Sequence, residues 1–116
     1  MTASKPEKLL IVWTSGDKDV AINMVFMYAR NSMLKGWWDE VTLLIWGPST
    51  NLLVQDEELK VGLKEVQDAG VRVVACKRCA ENYGVVPQME SLGAEVIYSG
   101  EFLTDWIKSE EKYITF

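Results

Sequence analysis

"KLLIVWTSGDKD", residues 8 to 19, holds an unbroken apolar run from Leu9 to Trp13 and then a polar turn. A strand with one wet face would alternate apolar and polar residues. A continuous run of strand length fits a parallel strand covered on both faces. The strand is read over residues 8 to 15, and Ser15-Gly16-Asp17 turns the chain. From Asp17 to Leu34 the spacing is helical, with Asp17 and Asp19 near the positive end of the helix dipole and Gly36 as the stop.

The same strand-turn-helix unit recurs along the chain. "EVTLLIWG" (40 to 47) is a second apolar strand ending at Gly47-Pro48. Residues 49 to 69 read as a helix broken around Asp56, which can cap the following piece; Leu59, Leu63 and Val66 share one face of it, and Gly70 ends it. "VRVVAC" (71 to 76), "AEVIYSG" (94 to 100) and "KYITF" (112 to 116) supply three more strands. A helix from about Cys79 to Leu92, bent near Pro87, and another over 101 to 110 lie between them. Alternation of this kind predicts an α/β protein: a three-layer α/β/α sandwich around a five-stranded, mostly parallel sheet with right-handed crossovers. Residues 1 to 116 read as one domain, with no linker or repeat.

In open parallel sheets ligands sit outside the carboxyl ends of the strands. Three turns therefore define the candidate site. They are Thr14-Ser15-Gly16-Asp17, Trp46-Gly47-Pro48 with Ser49, and Cys76-Lys77-Arg78-Cys79.

Composition narrows the chemistry. The formal charge is −5, from 17 acidic and 12 basic residues, so the overall field repels a phosphate backbone and nucleic acid is not expected as a partner. The polar start, "MTASKPEK", has no apolar run behind it, and no segment has the roughly 18 apolar residues of a membrane span. The expectation is a cytoplasmic protein without a membrane partner. The chain has no histidine, which removes Ser-His-Asp and Cys-His catalysis and every histidine metal site.

Both cysteines stand three positions apart in "VVACKRCAENYG" (73 to 84). Cys76 closes a strand and Cys79 falls in the first turn of a helix, where unpaired N–H groups and the dipole favour a thiolate. Lys77 and Arg78 add positive charge, and such surroundings lower a thiol pKa. Three other readings stand beside a reactive pair. Free cysteine is often buried filler. A Cys₄ zinc site would need a second subunit's thiols, and no metal or other cofactor is expected in one chain. A disulfide is the third: on a regular helix i and i+3 Cβ atoms are about 5–6 Å apart, against roughly 3.5–4.5 Å in a disulfide, so closure would need a local rearrangement.

The segment "VVACKRCAENYGV" resembles the cysteine segment of the DsrE/DsrF-like family, in which a cysteine follows the third strand and a glycine stands eight positions later, as Gly84 does after Cys76. The likeness extends through "DEVTLLIWGPS", "LGAEVIYSGEFLTDW" and "YITF". It implies a five-stranded α/β/α fold, homo- or hetero-oligomers, and a cysteine that carries sulfur as a persulfide between donor and acceptor proteins. Cys76 matches the sulfur-carrying cysteine, and Cys79 a second cysteine of some branches. Where the sulfur-relay members carry a basic segment, this chain has "AENYG". The resemblance thus implies a sulfur carrier or sulfurtransferase-type relay. The residues also admit a homo-oligomeric module that binds a small ligand, or a thiol redox protein using the Cys76/Cys79 pair.

Three further features carry blander explanations. "SGDKD" lacks the spacing of a phosphate loop and reads as a turn with a helix cap. The first helix, "VAINMVFMYARNSML", is apolar nearly all round, which suggests a subunit interface in addition to core packing; Met24, Met27 and Met33 read as packing residues. Trp37, Trp38 and Trp46 read as large apolar anchors, with Trp46 alone at the functional rim.

Overall fold

The computed structural model describes residues 5–116; the polar start read at residues 1–4 lies outside the described residues. Five strands, β1 (Lys8–Trp13), β2 (Glu40–Ile45), β3 (Arg72–Cys76), β4 (Glu95–Ile97) and β5 (Lys112–Thr115), form one sheet in the order β4-β3-β2-β1-β5. Every neighbouring pair is parallel. The apolar runs at Leu9 to Trp13 and Val41 to Ile45 are buried throughout, apart from Thr42 the only polar side chain among them.

The strand order explains the layers. From β1 to β4 each crossover moves one place in the same direction, so right-handed connections put their helices on one face. These are α1 (Lys18–Val20), a π-helical stretch (Ala21–Phe26), α2 (Met27–Leu34), α3 (Pro48–Gln55), α4 (Glu57–Asp68), α5 (Lys77–Tyr83) and α6 (Val86–Ser91). The last connection returns across the whole sheet, and its helix, α7 (Ser99–Lys108), covers the opposite face. Accordingly one core joins Ile11, Trp13, Val25, Phe26, Leu43, Leu63 and their neighbours, while a smaller one joins Leu10, Val12, Leu44 and Val74 to Phe102, Leu103 and Trp106.

Local chemistry sets the boundaries. Asp17 caps α1, its carboxylate accepting from the Asp19 and Val20 N–H groups. Asp56 breaks the helix as read from the sequence: it caps α4 by accepting from the Leu59 N–H at 3.0 Å. The expected bend near Pro87 is instead a full break upstream of it. Gly84 ends α5 in the left-handed region (φ 70°), and Pro87 stands in the first turn of α6, where its missing N–H costs nothing. The helix before it begins at Lys77, not Cys79, and the last helix begins at Ser99. No helix among the described residues is long and apolar enough to cross a membrane.

Candidate functional site

Cys76 has two structural roles at once. It ends β3, and its extended backbone (φ −69°, ψ 116°) makes it the cap of α5, with Sγ accepting from the Cys79 N–H at 3.4 Å. Strand alternation places it on the same side as Val74, the side that α7 covers. The β3–β4 register pairs Cys76 with Ile97, so the chain leaving β4 brings Tyr98 and Ser99 beside it. Ser99 is only 4% exposed and Cys76 only 5%. The Ser99 hydroxyl and backbone N–H both hydrogen-bond to the Cys76 sulfur.

Cys79 faces the other neighbour. Its Sγ accepts from the Gly47 N–H at 3.3 Å, across the gap between the β3 and β2 turns. Gly47 reaches this position with φ 76° and ψ −138°, a backbone shape that a side chain would strain.

The two thiols are driven apart in acidity. Burial is the largest influence on Cys76 and disfavours its thiolate; hydrogen bonds from Ser99, from the Cys79 thiol and from two backbone N–H groups outweigh it and hold the pKa below the ordinary thiol value. For Cys79, burial and the neighbouring Cys76 push the pKa up, and the Gly47 N–H only partly offsets them. The pair therefore shares a proton unequally: Cys76 is the thiolate and Cys79 the S–H donor beside it. A sulfur atom so held is a nucleophile with an adjacent acid.

The other residues expected at the site fall into three groups. Trp46 is 40% exposed at the rim, its N–H bonded to the Trp13 carbonyl, and Pro48 starts α3 beside it. Thr14 to Asp17 reach the thiols only through this turn: Ser49 donates its N–H to the Thr14 carbonyl at 3.1 Å, and a Cβ on Gly16 would lie 3.5 Å from that of Pro48. Thr14 is otherwise engaged, its hydroxyl donating to the Phe116 carbonyl at 2.8 Å, and Ser15 accepts from the Asp17 N–H. Lys77 lies 5.2 Å from the centre of the Tyr98 ring, whose hydroxyl donates to Glu81, and Arg78 stands 4.0 Å from Glu81. The basic pair thus meets α5 and β4 surface groups and makes no hydrogen bond to either sulfur.

Ser99 was not singled out from the sequence. Its signal there was a lone small polar residue at the end of a strand, two positions past the residue that pairs with Cys76. The notable cavity of the molecule is elsewhere: a groove of about 320 Å³ between the first helical segment and α4, lined by Phe26, Met27, Arg30, Leu59 and Val61.

A family model described as the DsrE/DsrF-like family matches residues 7–116. Among solved structures, protein BT1422 of Bacteroides thetaiotaomicron, of unknown function, is 37% identical, with 95% of each chain covered and a TM-score of 0.93. MTH1491 of Methanobacterium thermoautotrophicum, also of unknown function, has 19% identity and a TM-score of 0.77 over 95% of this chain and 99% of its own. The ychN protein of E. coli has 17% identity and a TM-score of 0.71 over the same shares, and like MTH1491 it supports the fold alone. No curated protein matches the sequence.

Proposed function

The chain belongs to the DsrE/DsrF-like family, and on that premise we propose that it is a cytoplasmic sulfur carrier of the relay type, with Cys76 taking up sulfur as a persulfide. The observation that supports this most is the hydrogen-bonded thiolate: Cys76 receives donors from Ser99 and Cys79 while Cys79 keeps its proton. A thiolate near neutral pH is what attack on a sulfane-sulfur donor requires. The reaction moves one sulfur atom onto Cys76 Sγ and leaves the donor with the electron pair of the broken S–S bond.

Intact mass after brief exposure to inorganic polysulfide tests it. A gain of one sulfur atom that a thiol reductant removes, and that Cys76→Ser abolishes, is the expected result. A chain whose mass never changes, or one whose gain survives Cys76→Ser, would overturn the assignment.

The carrier is also proposed to work as a homo-oligomer built partly on its first helical segment. Met24 and Met27 are 45% and 48% exposed, and they border the groove against α4. Exposed apolar surface of this extent marks partner contacts. Sedimentation at micromolar concentration would show a monomer if this is wrong.

A further inference from the structure

Placing Cys76 outside the helix changes what its partner can do. The sequence suggested that a bond between the cysteines would need rearrangement, because both were taken to follow helical spacing. Instead Cys76 is extended and its side chain folds back over the first turn of α5, where its sulfur meets the Cys79 N–H and is hydrogen-bonded to the Cys79 thiol. The two sulfurs are already neighbours. Their other partners come from opposite sides, Ser99 for Cys76 and Gly47 for Cys79.

We propose that Cys79 discharges the sulfur that Cys76 carries, attacking Cys76 Sγ to close a Cys76–Cys79 disulfide and expel the outer sulfur as hydrosulfide. This deepens the carrier reading and rests on it. The step balances as follows. Cys76 persulfide, as its anion, and Cys79 thiol become one disulfide and one hydrosulfide ion. The Cys79 sulfur forms the new S–S bond, the old one breaks with its electron pair on the outer sulfur, and the Cys79 proton goes to that atom. The sulfane sulfur is reduced, and the two cysteine sulfurs are oxidised to the disulfide level. A second round requires a small-molecule or protein dithiol to reduce the disulfide.

Persulfidation itself prepares the attack. While Cys76 is a thiolate, its charge helps keep Cys79 protonated. Once Cys76 carries sulfur, the charge moves out to the terminal atom, which is also where the proton is needed. An acceptor protein must then capture the sulfur faster than Cys79 releases it. The pair acts as a timer on the cargo, and the product without an acceptor is sulfide.

The test uses the full chain, reduced, briefly loaded with inorganic polysulfide, desalted, and followed by intact mass and sulfide release. Wild-type protein should pass from one sulfur heavier to two hydrogens lighter than the reduced chain, releasing hydrosulfide as it does so. Cys79→Ser should stay one sulfur heavier and release hydrosulfide more than about tenfold more slowly, since the intramolecular attack is gone. Cys79→Ala should behave like Cys79→Ser, which separates loss of the thiol from any effect of the serine hydroxyl. If wild type and both variants retain the sulfur equally, the discharge step is wrong and the carrier reading stands. If none gains sulfur, both fall.

Discussion

The two faces of the sheet are built unequally. Helical segments from three crossovers cover one face, and Val25, Leu43, Leu53, Leu59 and Leu63 beneath them are fully or almost fully buried. A single helix, α7, covers the other, and its own apolar residues Phe102, Leu103 and Trp106 remain half-buried. The candidate site joins the two. Cys76 ends a row of side chains that points to the thin face, whereas Cys79 sits on a helix of the thick one. The thick face supplies stability, and the thin face supplies the group that tunes the nucleophile.

If that division is right, truncation on the two sides should differ in size. Leu43→Ala, under the thick face, is expected to cost about 3–4 kcal/mol, and Leu103→Ala on α7 about half as much, because α7 can settle and water already reaches its flank. Denaturant midpoints measure both; equal losses would break the contrast.

A smaller effect sharpens the packing of the thick face. A Cβ added to Gly62 would come within 2.9 Å of the Phe26 ring, and that ring is wedged edge-on against Trp13 with centroids 5.1 Å apart. Helix propensity alone favours alanine at this position. Gly62→Ala should nevertheless destabilise by about 1–2 kcal/mol through overpacking; a gain in thermal midpoint would show that Phe26 is free to move.

On the thin face, Ser99→Ala should change reactivity more than stability. Loss of its hydroxyl removes a donor to the Cys76 sulfur, so the pH at which slow alkylation is half-maximal should rise towards that of an ordinary thiol, and alkylation near neutral pH should slow several-fold. The thermal midpoint should barely move, and Ser99→Thr should restore the profile. An unchanged pH profile in Ser99→Ala would remove Ser99 from the site.

The smallest effect expected lies beside it. Arg72 pairs with Glu95 through two contacts of 2.7 and 3.0 Å and stacks on Phe102, and its guanidinium holds the Glu95 carboxyl below the usual range. A depressed carboxyl stabilises the fold above its unfolded pKa, and that contribution disappears as pH falls through the folded value. Both side chains are about half exposed, so screening limits Glu95→Gln to about 0.5 kcal/mol at neutral pH. The difference from wild type should vanish in acid; a difference that persists there would mean that packing, not charge, is responsible.

Much of this was legible in the chain. Continuous apolar runs could only be strands covered twice, and the glycine stops at positions 36, 70 and 84 fell where helices end. Asp56 announced its own cap. The less legible parts depend on register. Nothing local marks Ser99, because its role exists only once β4 pairs with β3 so that Cys76 meets Ile97. Gly100 looked like the end of a strand, yet it lies inside α7. The capping role of Cys76 was hidden for the same kind of reason: a cysteine at a strand end does not declare which way its side chain will turn. The thin helical cover of one face was implicit in the number of crossovers, but only the strand order reveals it.

The π-helical stretch at Ala21–Phe26 governs how this protein can change length. Its i→i+5 bonding takes up more chain per turn than an α-helix does. Removing one residue there would allow ordinary helical bonding, but would also swing everything beyond it by about 100° around the axis. Ala29 and Ser32, both fully buried, would be carried out of the core, and exposed Met27 and Arg30 would change face. The same deletion within residues 35–39 would only shorten an exposed turn. Insertions and deletions should therefore be readily accepted after the helix and refused inside it, so that the wide turn fixes the reading frame between the first strand and the groove.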